Sequence, residues 1–306
     1  MINDEKTMRR SFMSKTKIIT DSASDISRED EKKYGIHILC FPITVGDRNF
    51  RDRDITPDEY YGILDTAESM PVHSQITAPE FMDVYRKYAS EGYTDIIYVS
   101  INSYGSATYQ NSLRAKDMFA DEEPMLASSV NIRCIDSLSY SATYGYPVIE
   151  AAQAAAEGVP ADDIERKLRS RFETAQVYLA CYTLKYCKKS GRISAATAFA
   201  GELLGFRPII LLSGKGTKTV RKVRGDNNVV GQLVEVCCEH IVKGTEYAVI
   251  GGKNDARRKE LADALTKRLG YPPLPYEFKV GGAVASNAGP DIVAFAMFHT
   301  DTPANK

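Results

Sequence analysis

The segment Thr94–Ser112, TDIIYVSINSYGSATYQNS, decides how the chain is read. Its opening, TDIIYVS, is an apolar, β-branched run of strand length. The rest is crowded with Ser, Thr, Asn and Gln, holds Ile101 as its one aliphatic residue larger than alanine, and carries no acid, base or metal ligand. A helix is expected to open near Ser106. A strand that runs through neutral hydrogen-bonding groups into a helix is one step of a parallel α/β unit.

Working outward, the same step recurs. TKIITDSASD reads as a strand ending at Asp21, with Ser24 or Asp25 as helix cap, and NIRCIDS as a strand before a long alanine-rich helix from about Tyr144 to Gly158. IHILCFPITV is a strand broken by Pro42. TPDEYYGIL offers Thr56 as N-cap and Pro57 at the first helical position, and TAPEFMDVYRKYASEG starts at Thr77 or Ala78 with Gly92 beyond its end. Residues 15–165 therefore read as an α/β domain with a parallel sheet covered on both faces. Residues 1–14 are expected to be a disordered tail.

Residues 166–300 read as a second α/β domain, with the boundary between Gly158 and Gln176. DDIERKLRSRFETA is helical and QVYLACYT a strand, while GELLGFRPIILLSGKGTKTVRKVRG is a helix running into a hairpin that turns at SGKGT. NNVVGQLVEVCCEHIVKG and DARRKELADALTKRLG are helical, with the strand EYAVIGG between them. YEFKVGGAVAS, a turn NAGP and DIVAFAMF read as a closing pair of strands, so this sheet is mixed.

Lys plus Arg number 39 against 40 Asp plus Glu, which excludes a chain whose whole surface is a nucleic-acid footprint. No apolar run reaches the length of a membrane span, so stable membrane insertion is not expected. MINDEKTMRRSFMSKTK has no apolar core of a secretory signal, which points to the cytoplasm. Six cysteines lie scattered without a Cys-x-x-Cys pair, and Cys237 and Cys238 face different sides of a helix. Reduced core thiols are expected, with no zinc and no cofactor.

Ligands of open parallel sheets gather beyond the carboxyl ends of the strands. TDSASD, SINSYGSATYQ and IDSLSYSATYG each place hydroxyls and a helix start there, and free backbone N–H groups with hydroxyl donors suit an anion's oxygens. Capping alone accounts for Ser24 or Ser139 taken singly; three such loops on one edge point to a polar-head site. PVHSQITAPEF adds His73, Ser74 and Gln75. A hydrolase using Ser106 and His73 lacks the second glycine of a nucleophile elbow in YGSAT. Lys188, Lys189, Arg192, Lys215, Lys218, Arg221, Lys222 and Arg224 are basic, mostly a solvated hairpin, and GKGTKT is no phosphate-binding loop. Arg192 stands apart, flanked by Gly191 before a helix-start serine. Phe199, Leu203, Leu204, Phe206, Ile209 and Ile210 could supply a tail pocket, though plain core is the better reading.

Taken in order, these motifs resemble the DegV family of bacterial lipid-binding proteins over Lys17 to Phe298. TDSASD resembles its Asp-Ser-x-x-Asp opening, HSQITAPEF its Thr-Ser-Gln-Pro segment, and SYGSATYQNS its Leu-Ser-Gly-Thr-Tyr-Gln block. DSLSYSATYG resembles its Asp-Ser block, LKYCKKSGRIS its Gly-Arg-Ile-Ser element, and NAGP its His-x-Gly-Pro. The resemblance implies a long-chain fatty acid lying between two α/β domains of a protein without catalysis of its own. It implies a partner too, a separate fatty-acid kinase to which the carboxyl is presented for acyl-phosphate formation in phospholipid metabolism. Ser106 would then bond the carboxylate, His73 and Ser74 would flank it, and Arg192 would lie near the head group. Asp21, Ser22 and Asn287 complete the implied set.

The departures are His73 for threonine, Ile76 for proline, Gly105 and Ala107 around Ser106, Thr143 and Tyr144 for glycine and glutamine, and Asn287 for histidine. An asparagine donates hydrogen bonds but carries no titratable proton. A carrier of a different carboxylate or phosphate amphiphile therefore stays open as an alternative, beside the hydrolase.

Overall fold

The chain is described by a computed structural model over residues 15–197, 205–214 and 216–298. Its first half runs β1 (Thr16–Asp21), α1 (Arg28–Tyr34), β2 (His37–Leu39), β3 (Pro42–Val45), β4 (Arg48–Arg51), α2 (Pro57–Thr66), β5 (Val72–His73) and α3 (Ala78–Ser90). β6 (Asp95–Ser100), α4 (Thr108–Glu122), α5 (Pro124–Ala127), β7 (Asn131–Asp136), α6 (Ala142–Ala156) and α7 (Ala161–Thr174) follow. The second half runs β8 (Gln176–Cys181), α8 (Lys185–Ser190), α9 (Ser194–Thr197), β9 (Phe206–Ser213), β10 (Gly216–Arg224) and α10 (Val229–His240). It closes with β11 (Tyr247–Gly251), α11 (Asp255–Leu269), β12 (Phe278–Lys279), α12 (Gly282–Ala288) and β13 (Ile292–Met297).

Three sheets result. The first is parallel, in the order β2-β1-β6-β7, and the second is mixed, in the order β10-β9-β8-β13-β11-β12. Pro42 does split the IHILCFPITV run, and it sends β3 into a small third sheet, β4-β3-β5, that pairs Ile43 with His73. β6 is buried along its whole length, as a central parallel strand between two layers of helices must be. The mixed sheet sorts its side chains by parity: Val177, Leu179, Ile210, Leu212, Ile250, Ile292 and Ala294 share a core that reaches the first half. Tyr178, Ala180, Ile209, Val249, Val293 and Phe295 face the core under α10 and α11.

Several expectations need correction. The cap of α1 is Ser27, whose side chain accepts from Asp30 N; Ser24 lies in a 3-10 turn, and Asp25 ends that turn at φ 53°. Ser139 caps nothing, since α6 begins after Ser141. The closing pair of strands is absent: GGAVASNA forms α12, and β12 and β13 lie on opposite sides of β11. The reason is tertiary. Gly282, Ala283, Ala285, Ser286 and Ala288 are all buried, so small residues that look non-committal in sequence let a helix approach closely. Of the proposed tail residues, Ile209 and Ile210 are core on opposite faces of β9. Phe199, Leu203, Leu204, Lys215, the helix expected at GELLG and the expected tail 1–14 lie outside the described residues.

Candidate binding cleft

The order of the parallel sheet sets β1, β6 and β7 side by side, so their three polar loops meet and bond to one another. Asp21 collects them. Its carboxylate accepts from Ala23 N at 3.2 Å, Tyr98 Oη at 3.0 Å, Ile101 N at 2.8 Å and Tyr144 Oη at 2.6 Å. Ser141 N donates to Ala23 O at 3.1 Å, and Asn102 N to Ser139 O at 3.0 Å. Complete burial pushes the Asp21 carboxyl up to about 6 against these four donors. Ser22 is likewise structural, accepting from Phe41 N at 3.2 Å.

Between this edge and the inward face of the mixed sheet lies a small, mostly apolar cleft. One wall is the inward parity of the mixed sheet: Val177, Leu179, Leu212, Ile250, Ile292 and Ala294. These are cross-strand neighbours, since Val177 pairs with Leu212 and Ala294 with both Leu179 and Ile250. His73, Gly105, Tyr140, Ser141, Arg192 and Asn287 also line the cleft, beside Ile101, Ile193, Val280, Val284 and Ala288.

Most of the polar residues are linked. Asn287 Nδ2 stands 2.7 Å from His73 Nε2. Arg192 Nε donates to Gly105 O at 3.3 Å and its Nη1 to Ser190 O at 3.0 Å, while Ser190 Oγ reaches Asn287 O at 3.4 Å. Burial holds His73 below its ordinary range, with the Arg192 charge adding to the effect, so the ring is neutral at pH 7. Burial also pushes the Tyr140 hydroxyl up to about 12. The polar end is thus a cluster of neutral groups with one exposed guanidinium.

Of the residues singled out from the sequence, His73, Arg192 and Asn287 come together in the cleft. Ser106 does not line it: its Oγ accepts from Thr108 N at 3.2 Å and pairs with Thr108 Oγ1 at 2.8 Å, the bonding of a helix start. Ser74 is exposed and uses its N–H on Pro42 O. Ser141 was missed; it sits at φ 55° with a buried Oγ, and no sequence signal marks a non-glycine residue for that conformation. The apolar wall was missed as well, although the strands carrying it were found.

A parallel and a mixed sheet enclosing an apolar cleft with a polar end define a two-sheet α/β fold. Comparison with known proteins places it further. The family model described as "Uncharacterised protein, DegV family" matches residues 15–300, and the chain belongs to the DegV family. A DegV domain-containing protein of Staphylococcus aureus is 30% identical over 283 residues, covering 90% of this chain and 94% of that one. One from Clostridium perfringens is 31% identical over 235 residues, covering 76% and 81%. Among solved structures, a stearic-acid-binding protein from Eubacterium ventriosum superposes with a TM-score of 0.83 at 22% identity, over 92% of this chain and 98% of that one. DegV, a fatty-acid-binding protein from Bacillus subtilis, gives 0.80 at 20% identity, over 94% and 100%.

Proposed function

We propose that this chain is a carrier without catalysis of its own. It holds a long-chain fatty acid in the cleft between two domains, 15–165 and 166–300, and presents the carboxyl to a separate fatty-acid kinase in the cytoplasm. The observation that carries the reading is the cleft itself: an apolar wall of alternate strand residues, with the neutral pair His73 and Asn287 beside Arg192. The solved relatives described as binding stearic acid and other fatty acids support it. An acyl tail against that wall gains about 0.8 kcal/mol per buried CH₂, so the tail supplies most of the affinity. Neutral donors hold a carboxylate ionised without reacting with it. The kinase follows from the resemblance of the motifs. Hydrolysis gains no support, because Ser106 Oγ is taken by Thr108 and His73 Nε2 faces Asn287.

Native mass spectrometry of the chain purified from bacterial cells, with lipid extraction of the same sample, tests this. One fatty acid per chain is expected. A co-purifying phosphate amphiphile would replace the fatty acid with that ligand, and a chain that stays empty with added fatty acid would sink the carrier.

A further inference from the structure

The contact between His73 and Asn287 has a definite polarity. Asn287 lies in α12, and its Nδ2 reaches the carbonyl of Ala283, one turn back, at 3.0 Å. A carbonyl only accepts, so the atom facing it is the amide nitrogen. The same nitrogen stands 2.7 Å from His73 Nε2. Nε2 therefore accepts, and the proton of the neutral ring is on Nδ1. His73 Nδ1 is buried and has no hydrogen-bond partner among the described residues. A buried N–H left unpaired is costly, and an acceptor on a molecule bound in the adjoining cleft would satisfy it.

We propose that Asn287 is a positioning residue that fixes His73 as the Nδ1–H tautomer, and that this N–H is reserved for an acceptor atom of the bound head group. The proposal rests on the carrier reading above and adds a selectivity to it. The cleft takes a head that accepts at this point, a carboxylate, and rejects one that only donates, an alkylammonium. A second ring proton on Nε2 would be driven against the Nδ2 donor for as long as the amide keeps this orientation. The charged group acting on His73 among the described residues is Arg192, which opposes protonation as well. Tyr140, in the same cleft, titrates far above neutrality.

The tautomer is read on the full-length chain with ¹⁵N-labelled histidine, by multiple-bond NMR correlation, with a His73→Gln sample identifying the ring. A neutral ring protonated on Nδ1 is expected at pH 7 without ligand; an Nε2–H ring overturns the proposal. The second measurement is laurate affinity from pH 6 to 8. The native chain should be flat. In Asn287→Asp the carboxylate takes Nε2–H, and the neutral ring turns a lone pair on the ligand; only imidazolium restores the N–H. That variant should bind laurate at least ~10-fold more weakly at pH 8 than at pH 6, and a flat profile would overturn the proposal. Dodecylamine binding as tightly as laurate to the native chain overturns the selectivity. If the native chain takes up neither, the carrier reading and the named head group fall together, while the NMR result still judges the tautomer.

Discussion

Asp25 and Asp52 close on the same glycine. Asp25 Oδ1 accepts from Gly281 N at 2.7 Å, and Asp52 Oδ1 lies 3.4 Å from where a Gly281 side chain would begin. Ser141 also faces the Asp25 carboxyl, and Ser22 with the N–H groups of Gly282 and Ala283 faces that of Asp52. Two carboxyl groups from the first half thus seat the start of α12, the helix that carries Val284, Asn287 and Ala288 to the cleft.

That pair gives stability a pH dependence of known sign. Burial pushes Asp25 up to about 8, with the Asp52 charge adding to it, against an unfolded value of about 3.9. The folded state therefore holds a proton that the unfolded state has lost, and stability falls as pH rises from about 4 through about 8. His37 and His73 are held low and work in the opposite direction, but only below their ordinary range near 6.5. The window from pH 7 to 8 lies above the histidines and below the onset of the buried thiols Cys40, Cys134, Cys181 and Cys237, which are also held high. Native Tm should drop across it, and Asp25→Asn, which keeps the acceptor for Gly281 N, should flatten the drop. An equal drop in both proteins would refute the assignment.

Gly282→Ala tests the closeness of the α12 seat. A methyl there would begin 2.5 Å from Ile43 Cδ1 and 2.7 Å from Asp52 Oδ1. Helix propensity favours alanine by about 1 kcal/mol, but overpacking a closed site costs about 1–3 kcal/mol. Net destabilisation is expected in urea melts, together with weaker fatty-acid binding because Asn287 rides on the same helix. A variant more stable than the native chain would show that the seat yields.

Asp21→Ala should be among the most destabilising single changes. It strands Tyr98 Oη, Tyr144 Oη and Ile101 N, all at the edge where three loops meet. Unsatisfied buried groups cost about 1–3 kcal/mol each, so a loss above about 3 kcal/mol is expected from denaturant titration. A loss under about 1 kcal/mol would mean that the loops hold one another without it.

Ala294→Phe separates the cleft from the fold. Ala294 sits in the wall between Leu179 and Ile250, and a phenyl ring there extends into the cleft. Fatty-acid affinity should fall more than ~10-fold, with Tm lowered by no more than overpacking of one buried site costs, about 1–3 kcal/mol. Unchanged affinity would move the tail elsewhere.

The strands and most helices were legible because each is a local pattern: a β-branched run such as TDIIYVS, or Thr56-Pro57 opening a capping box. α12 was not, since GGAVASNA has neither strand nor helix periodicity and its helix depends on carboxylates far away in sequence. The polar end of the cleft was partly legible. His73, Arg192 and Asn287 stood out as residue types in motif positions, but their meeting joins positions 214 residues apart, and nothing local encodes it. Ser106 drew attention for its hydroxyl, which serves α4. The apolar wall hid in plain sight: Val177 and Leu179 of QVYLACYT alternate onto it, yet the partner strands β9, β11 and β13 are assigned only by the sheet order.

That order constrains synthesis as well as shape. β13, the last strand of the mixed sheet in the chain, lies between β8 and β11 and is the single strand joining them. A nascent chain that has emerged only through α12 carries two separate sheet fragments, β10-β9-β8 and β11-β12, with exposed edges, a hazard for edge-to-edge association. The first half can close before then, since its parallel sheet is complete by Asp136. The wall of the cleft is therefore completed only when Ile292–Met297 threads home, as one of the final acts of folding.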